Sequence, residues 1–136
     1  MFKALSSVQS NKRSAPSRPL RILVADDNRD SVATLQVLLQ GEGHRVRAVQ
    51  RSVDVLGVES EFKPDVVILD LQMPDISGYD LARWLRSRHP RRCPLLIAVT
   101  GAFTRPSDRD LSLHSGFDYY VTKPYRLEEL LALMPA

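Results

Sequence analysis

Cysteine is almost missing: Cys93 is the only one in 136 residues, which excludes an internal disulfide and any cysteine-built metal cluster and suits a reducing compartment. The three histidines, His44, His89 and His114, lack the spacing of metal ligands and read as surface residues. No apolar run approaches the roughly 20 residues that a membrane-spanning helix needs, and no secretory signal opens the chain. The expectation is a cytoplasmic protein with no membrane span. Gly-x-Ser-x-Gly, Walker and dinucleotide fingerprints are also absent, which weakens every reading as a hydrolase or nucleotide-dependent enzyme.

The net charge of +3 hints at nucleic acid until it is divided along the chain. Residues 1–20 carry Lys3, Lys12, Arg13 and Arg18 without an acid, and the remainder holds 15 basic against 16 acidic residues. The basicity therefore belongs to the N-terminus, and no direct nucleic-acid contact is expected of the folded part. Residues 1–19, rich in Ser and Lys/Arg with Pro16 and Pro19, read as a disordered basic extension. Residues 20–136 read as one domain.

Within that domain, apolar runs alternate with amphipathic stretches. Ile22–Ala25, Val66–Leu69 and Leu95–Val99 are continuous apolar runs, as in strands covered on both faces. Arg45–Val49 alternates charge with apolar residues and Tyr119–Thr122 is short, so both suit sheet edges. Between them the spacing predicts five helices. The first is capped by Asn28 or Asp30, with Val32, Leu35, Leu38 and Leu39 on one face. A short, mobile second helix follows over Ser52–Phe62, with Val53, Leu56 and Ser60 as a partial stripe. The third opens on Ser77-Gly78-Tyr79-Asp80, like a capping box, and turns Leu81, Trp84 and Leu85 inward. The fourth starts near Pro106 and stops at Gly116, and the last carries Leu127, Leu130, Leu131 and Met134. The arginines that crowd the end of the third helix, from Arg83 to Arg92, read as a solvated face. Five strands alternating with five helices describe a doubly wound α/β domain, a parallel sheet in the flavodoxin-like order 2-1-3-4-5.

In such a sheet the carboxyl ends of the strands form the binding edge. Asp26-Asp27, Asp70, Thr100 and Lys123 each fall at or just after a different strand end. Clustered carboxylates without His or Cys select a hard cation, Mg²⁺ or Mn²⁺. Thr100 and Lys123 add a hydroxyl and a compact ammonium, groups suited to phosphoryl oxygens. Asp70 is then the nucleophile, and the product is an aspartyl phosphate.

This constellation resembles the receiver domain of response regulators in two-component signalling, over Arg21 to the C-terminus. The matching motifs are the acidic pair Asp26-Asp27, Asp70 followed by Met73-Pro74, Thr100, and Lys123-Pro124, with Gly116 and Tyr120 at the familiar spacing before the lysine. The resemblance implies Asp70 as phosphoacceptor, and a metal held by Asp27, Asp70 and the backbone carbonyl of Gln72, with Asp26 behind them or acting through water. It further implies Thr100 and Tyr120 as switch residues, Lys123 as a phosphoryl-binding residue, and a cis bond before Pro124. Three stretches depart from the family pattern: Arg51-Ser52 replaces an Asn/Asp-Gly turn, Gly101 replaces the commoner alanine, and the stretch from Thr104 to Pro106 is slightly longer than usual.

The expectation is a phosphoacceptor, not an enzyme, that takes its phosphoryl group from a sensor histidine kinase or histidine phosphotransfer protein. Because the sequence stops after the fifth helix, a stand-alone receiver without an output domain is expected. It would signal to a partner protein on the face of the fourth helix, fifth strand and fifth helix. Two rival readings are an Mg²⁺-dependent aspartate-nucleophile phosphatase and a receiver-like binding module that is not phosphorylated. The first normally needs a second acid two residues after the nucleophile, where this chain has Gln72. The second is expected to have lost an acid or the lysine.

Overall fold

The computed structural model of the chain describes residues 18–101 and 116–135. Five strands, β1 (Arg21–Ala25), β2 (Arg45–Val49), β3 (Val66–Asp70), β4 (Leu95–Thr100) and β5 (Tyr119–Thr122), form one parallel sheet in the order β2-β1-β3-β4-β5. The four α-helices among the described residues are α1 (Arg29–Gly41), α2 (Val55–Phe62), α3 (Gly78–Arg88) and α4 (Leu127–Leu133). The helix expected from Pro106 to Gly116 and the N-terminal extension up to residue 17 lie outside the described residues.

Alternation along the central strands builds two cores. Leu23, Val67, Leu69, Leu96 and Ala98 point to one face, where Val55 of α2 and Leu81, Ala82 and Leu85 of α3 cover them. Their neighbours Ile22, Val24, Val66, Ile68, Ile97 and Val99 point to the other, under Leu35 and Leu39 of α1 and Leu130 and Leu131 of α4. A strand covered on both sides has no polar alternation to display, which is why β3 is apolar up to Asp70 and buried throughout. The edge strands β2 and β5 keep exposed positions.

Helix ends follow side-chain chemistry. Asn28 caps α1, its Oδ1 accepting the Ser31 N–H at 3.0 Å, and Gly43 turns the chain out at φ 97°. Ser77 caps α3 by accepting the Tyr79 N–H at 3.0 Å; Asp80 pairs with Arg83.

Several inward-facing assignments shift. Leu38 and Trp84 are 43% and 42% exposed, because the buried stripes are Val32, Leu35, Leu39 in α1 and Leu81, Ala82, Leu85 in α3. The second helix starts as a 3₁₀ turn over Ser52–Asp54, which rotates its buried side to Ser52, Val55 and Glu59 and leaves Val53 outside. His44 is buried, its Nδ1 accepting the Leu20 N–H at 3.1 Å. His89 touches buried Glu59 at 2.7 Å. Two of the arginines at the end of α3 also make contacts within the protein. Arg86 donates to the Gly116 carbonyl at 2.7 Å and pairs with Asp118 at 2.8 Å, and Arg88 donates to Ser60 Oγ at 2.6 Å.

Candidate functional site

β1 and β3 are neighbours in register, Ala25 opposite Leu69, so the residues that follow each strand leave the sheet side by side. Asp26, just past β1, and Asp70, at the end of β3, are 7% and 4% exposed, while Asp27 faces solvent. One carboxylate oxygen from each of Asp26, Asp27 and Asp70 lies within 4.8 Å of the others. Oxygen-only donors at that spacing fit a hard divalent cation. Local bonds orient the two buried acids: Asp26 Oδ1 accepts the Asn28 N–H at 2.9 Å, and Asp70 Oδ1 accepts the Gln72 N–H at 2.9 Å.

Lys123 arrives from the far edge. Its N–H donates to the Thr100 carbonyl at 2.7 Å, which anchors the chain beyond β5 beside the end of β4. Its ammonium then reaches Asp26 Oδ2 at 3.1 Å and Asp70 Oδ2 at 3.3 Å. The Lys123–Pro124 bond is cis. Burial works against the ammonium charge, but the hydrogen bond to Asp26 and the charges of Asp70 and Asp26 outweigh it and hold Lys123 above the ordinary lysine value. Asp70 goes up: burial raises it most, the Gln72 N–H opposes, and the Asp26 charge exceeds the relief from Lys123. The nucleophile candidate is thus a carboxylate whose ionised form the fold disfavours.

Thr100 ends β4 at 3% exposure, beside Thr122 in the β4–β5 register, where Tyr120 stands opposite Ala98. Tyr120 is half-buried against the core that α2 and α3 cover. The structure therefore brings Asp26, Asp27, Asp70 and Lys123 into one cluster, with Thr100 on the adjacent strand end and Tyr120 one strand further out. Absent from the sequence reading was the contact of Gln72 with Gly101: a Cβ at residue 101 would stand 2.9 Å from Gln72 Oε1. The replacement of alanine by Gly101 was the visible signal. A second omission is the ion pair between Arg51 and Asp75 at 3.6 Å, which links the loops after β2 and β3.

Comparison with known proteins identifies the family. The family model described as the response regulator receiver domain matches residues 22–134. Response regulator MprA of Mycobacterium sp. (strain KMS) is 40% identical over 118 residues, covering 87% of this chain and 50% of that protein. DNA-binding response regulator MtrA of Mycolicibacterium paratuberculosis is 35% identical over 116 residues, with 85% and 50% covered. The chain thus spans about half the length of these relatives. Among solved structures, the BeF3-activated receiver domain of DrrB, a Thermotoga maritima protein, superposes with a TM-score of 0.74 at 30% identity, covering 85% of this chain and 93% of that one. Among the described residues, no helix is long and apolar enough to cross a membrane.

Proposed function

The chain belongs to the response regulator receiver domain family, and from that premise we propose that it takes a phosphoryl group onto Asp70 from the phosphohistidine of a sensor histidine kinase or histidine phosphotransfer protein, in the cytoplasm. The observation that carries the reading is Lys123 Nζ, placed 3.3 Å from the oxygen of a buried, destabilised Asp70. A phosphoryl group on Asp70 would offer its oxygens to that ammonium. An Asp70 oxygen forms the new P–O bond as the donor's P–N bond breaks, its electron pair returning to the imidazole. Lys123 meets charge gathering on the phosphoryl oxygens, and Thr100 supplies a hydroxyl to one of them. Asp27, Asp70 and the Gln72 carbonyl would hold Mg²⁺ or Mn²⁺, with Asp26 behind or through water. When bound, the cation offsets the negative charge of carboxylates and phosphoryl group.

The chain is a stoichiometric acceptor and not a general phosphatase, because Gln72, two residues after Asp70, cannot exchange a proton as a carboxyl can. The phosphoryl oxygens, strong hydrogen-bond acceptors, draw the Thr100 hydroxyl toward them, and Tyr120 turns into the space behind it. A protein partner then reads the face of β5 and α4 as a population shift.

The test is Asp70→Asn with radiolabelled acetyl phosphate and Mg²⁺. Labelling is expected to fall to background, and unchanged labelling would refute the assignment. Thr100→Ala is expected to keep labelling but lose the phosphorylation-dependent change in partner affinity. Tyr120→Ala is expected to alter that affinity with little effect on labelling. Multiple turnover of a general phosphoester by the purified protein would favour the phosphatase reading.

A further inference from the structure

At the amino end of the sheet, away from Asp70, a groove of about 520 Å³ opens between the end of α2, its turn into β3, and the loop from α3 to β4. Arg21, Lys63, Arg88 and Arg92 line it, with Pro64 and Pro94 as apolar walls. Two acids also reach it, against the four bases. Glu59, 3% exposed, touches His89 at 2.7 Å and faces Arg88 at 4.0 Å, its Oε1 buried without a hydrogen bond. Asp65 accepts the Arg21 N–H at 2.8 Å and pairs with Arg18 at 3.4 Å. Among the described residues, Lys63 and Arg92 have no such side-chain partner. The positive charge on these walls is therefore not balanced from within.

Lys63 is also the one described non-glycine residue at positive φ, 54°. It ends α2 in the left-handed conformation, its N–H donating to the Glu59 carbonyl at 2.9 Å. Glycine or asparagine would hold that position with less strain, yet the chain keeps a cation there. Arg88 is oriented in advance by Ser60 Oγ at 2.6 Å and by Glu59.

We propose that this groove binds a small phosphomonoester of nucleotide size, its phosphate held by Lys63, Arg92 and Arg88 and its organic body lying against Pro64 and Pro94. A guanidinium presents a planar fork that matches phosphate oxygens and an ammonium adds a point charge. Pockets of roughly 300–1,000 Å³ take small organic ligands, so a bare phosphate would leave most of this space unused. The groove and the phosphoacceptor lie at opposite ends of the same strands: Arg21 begins the strand that leads to Asp26, and Asp65 immediately precedes the strand that ends at Asp70.

The test is an amide NMR titration of the full chain with adenosine 5′-monophosphate (AMP), adenosine and inorganic phosphate. AMP is expected to shift the amides of Lys63, Asp65 and Arg92 saturably, adenosine to shift none of them, and phosphate to bind at least about tenfold more weakly than AMP. Lys63→Ala with Arg92→Ala is expected to weaken AMP binding at least about tenfold, while the melting temperature and acetyl-phosphate labelling of Asp70 stay unchanged. No saturable shift with AMP, or AMP binding that survives the double substitution, overturns the site. Phosphate binding as tight as AMP overturns the nucleotide-sized body, and adenosine binding as tight as AMP overturns the phosphate contact.

Discussion

At the carboxyl end of β1 and β3, Asp26, Asp27 and Asp70 cluster, with one lysine beside Asp26 and Asp70, whereas at the amino end Glu59 and Asp65 each face basic side chains. There Glu59 meets His89 and Arg88, and Asp65 meets Arg18 and the Arg21 N–H. The same strands carry both ends, so the difference lies in how charge is distributed. The matched acids bind elements together: Glu59 ties α2 to the end of α3, and Asp65 ties the turn before β3 to β1. At the carboxyl end Asp26 and Asp70 share Lys123, and three carboxylates with oxygens within 4.8 Å of one another leave a site whose excess negative charge a cation can relieve. Charge that the fold leaves unbalanced marks where it is ready to react.

The comparison can be broken at four depths. The largest effect is expected where both ends depend on one strand. Ile68→Ala empties a fully packed position in β3, 2% exposed, and should cost about 2–5 kcal/mol by urea denaturation. It should also lower labelling at Asp70, since the strand sets that residue's position. A loss under about 1 kcal/mol would mean that β3 is not the shared support.

Glu59→Ala comes next. Removing one member of a buried pair leaves the others uncompensated, but His89 and Arg88 are 31% and 35% exposed in their side chains, so solvent screening reduces the expected cost to about 1–3 kcal/mol. Labelling of Asp70 should not change. A neutral result in urea denaturation would remove the distinction between matched and unmatched acids.

Asp70→Asn should act in the opposite direction. Burial holds the folded-state pKa of Asp70 above its ordinary 3.8, so ionising the group in the folded chain opposes folding. Below 3.8 both states are protonated and the penalty is gone. The variant should therefore be more stable at neutral pH by about 1 kcal/mol without metal, and the gain should shrink as the pH falls towards 3.8. A lower melting temperature than wild type at neutral pH would contradict this account. The smallest effect belongs to Arg18→Ala. Its pair with Asp65 is 57% and 31% exposed, so the loss should be at most about 0.5 kcal/mol and should vanish at high salt.

Much of this was legible in the sequence, for identifiable reasons. Strand order followed from the contrast between continuous apolar runs such as Val66–Leu69 and the alternating Arg45–Val49. The site's members were legible because each follows an apolar run directly, as Asp70 follows Leu69. What the sequence hid was rotation. A 3₁₀ turn over Ser52–Asp54 shifts the following helix by part of a turn, so Glu59 faces inward where Leu56 and Ser60 fit the apolar period. In α1 the apolar residues outnumber the positions facing the sheet, so periodicity could not tell that Leu38 faces away. His44 was missed because its burial depends on the backbone N–H of Leu20, 24 residues distant. Such a bond leaves no local pattern.

Trp84 is the only tryptophan, 42% exposed, and the Arg88 guanidinium lies 4.8 Å from its ring centre. That guanidinium is the one held by Ser60 and facing Glu59. An intrinsic fluorophore thus sits at the amino end of the sheet, next to the groove and away from Asp70. Excited at the indole band, its emission records the setting of Arg88 before it records any event at the phosphoacceptor, and a spectral change on phosphorylation would mean that the signal had travelled the length of the sheet.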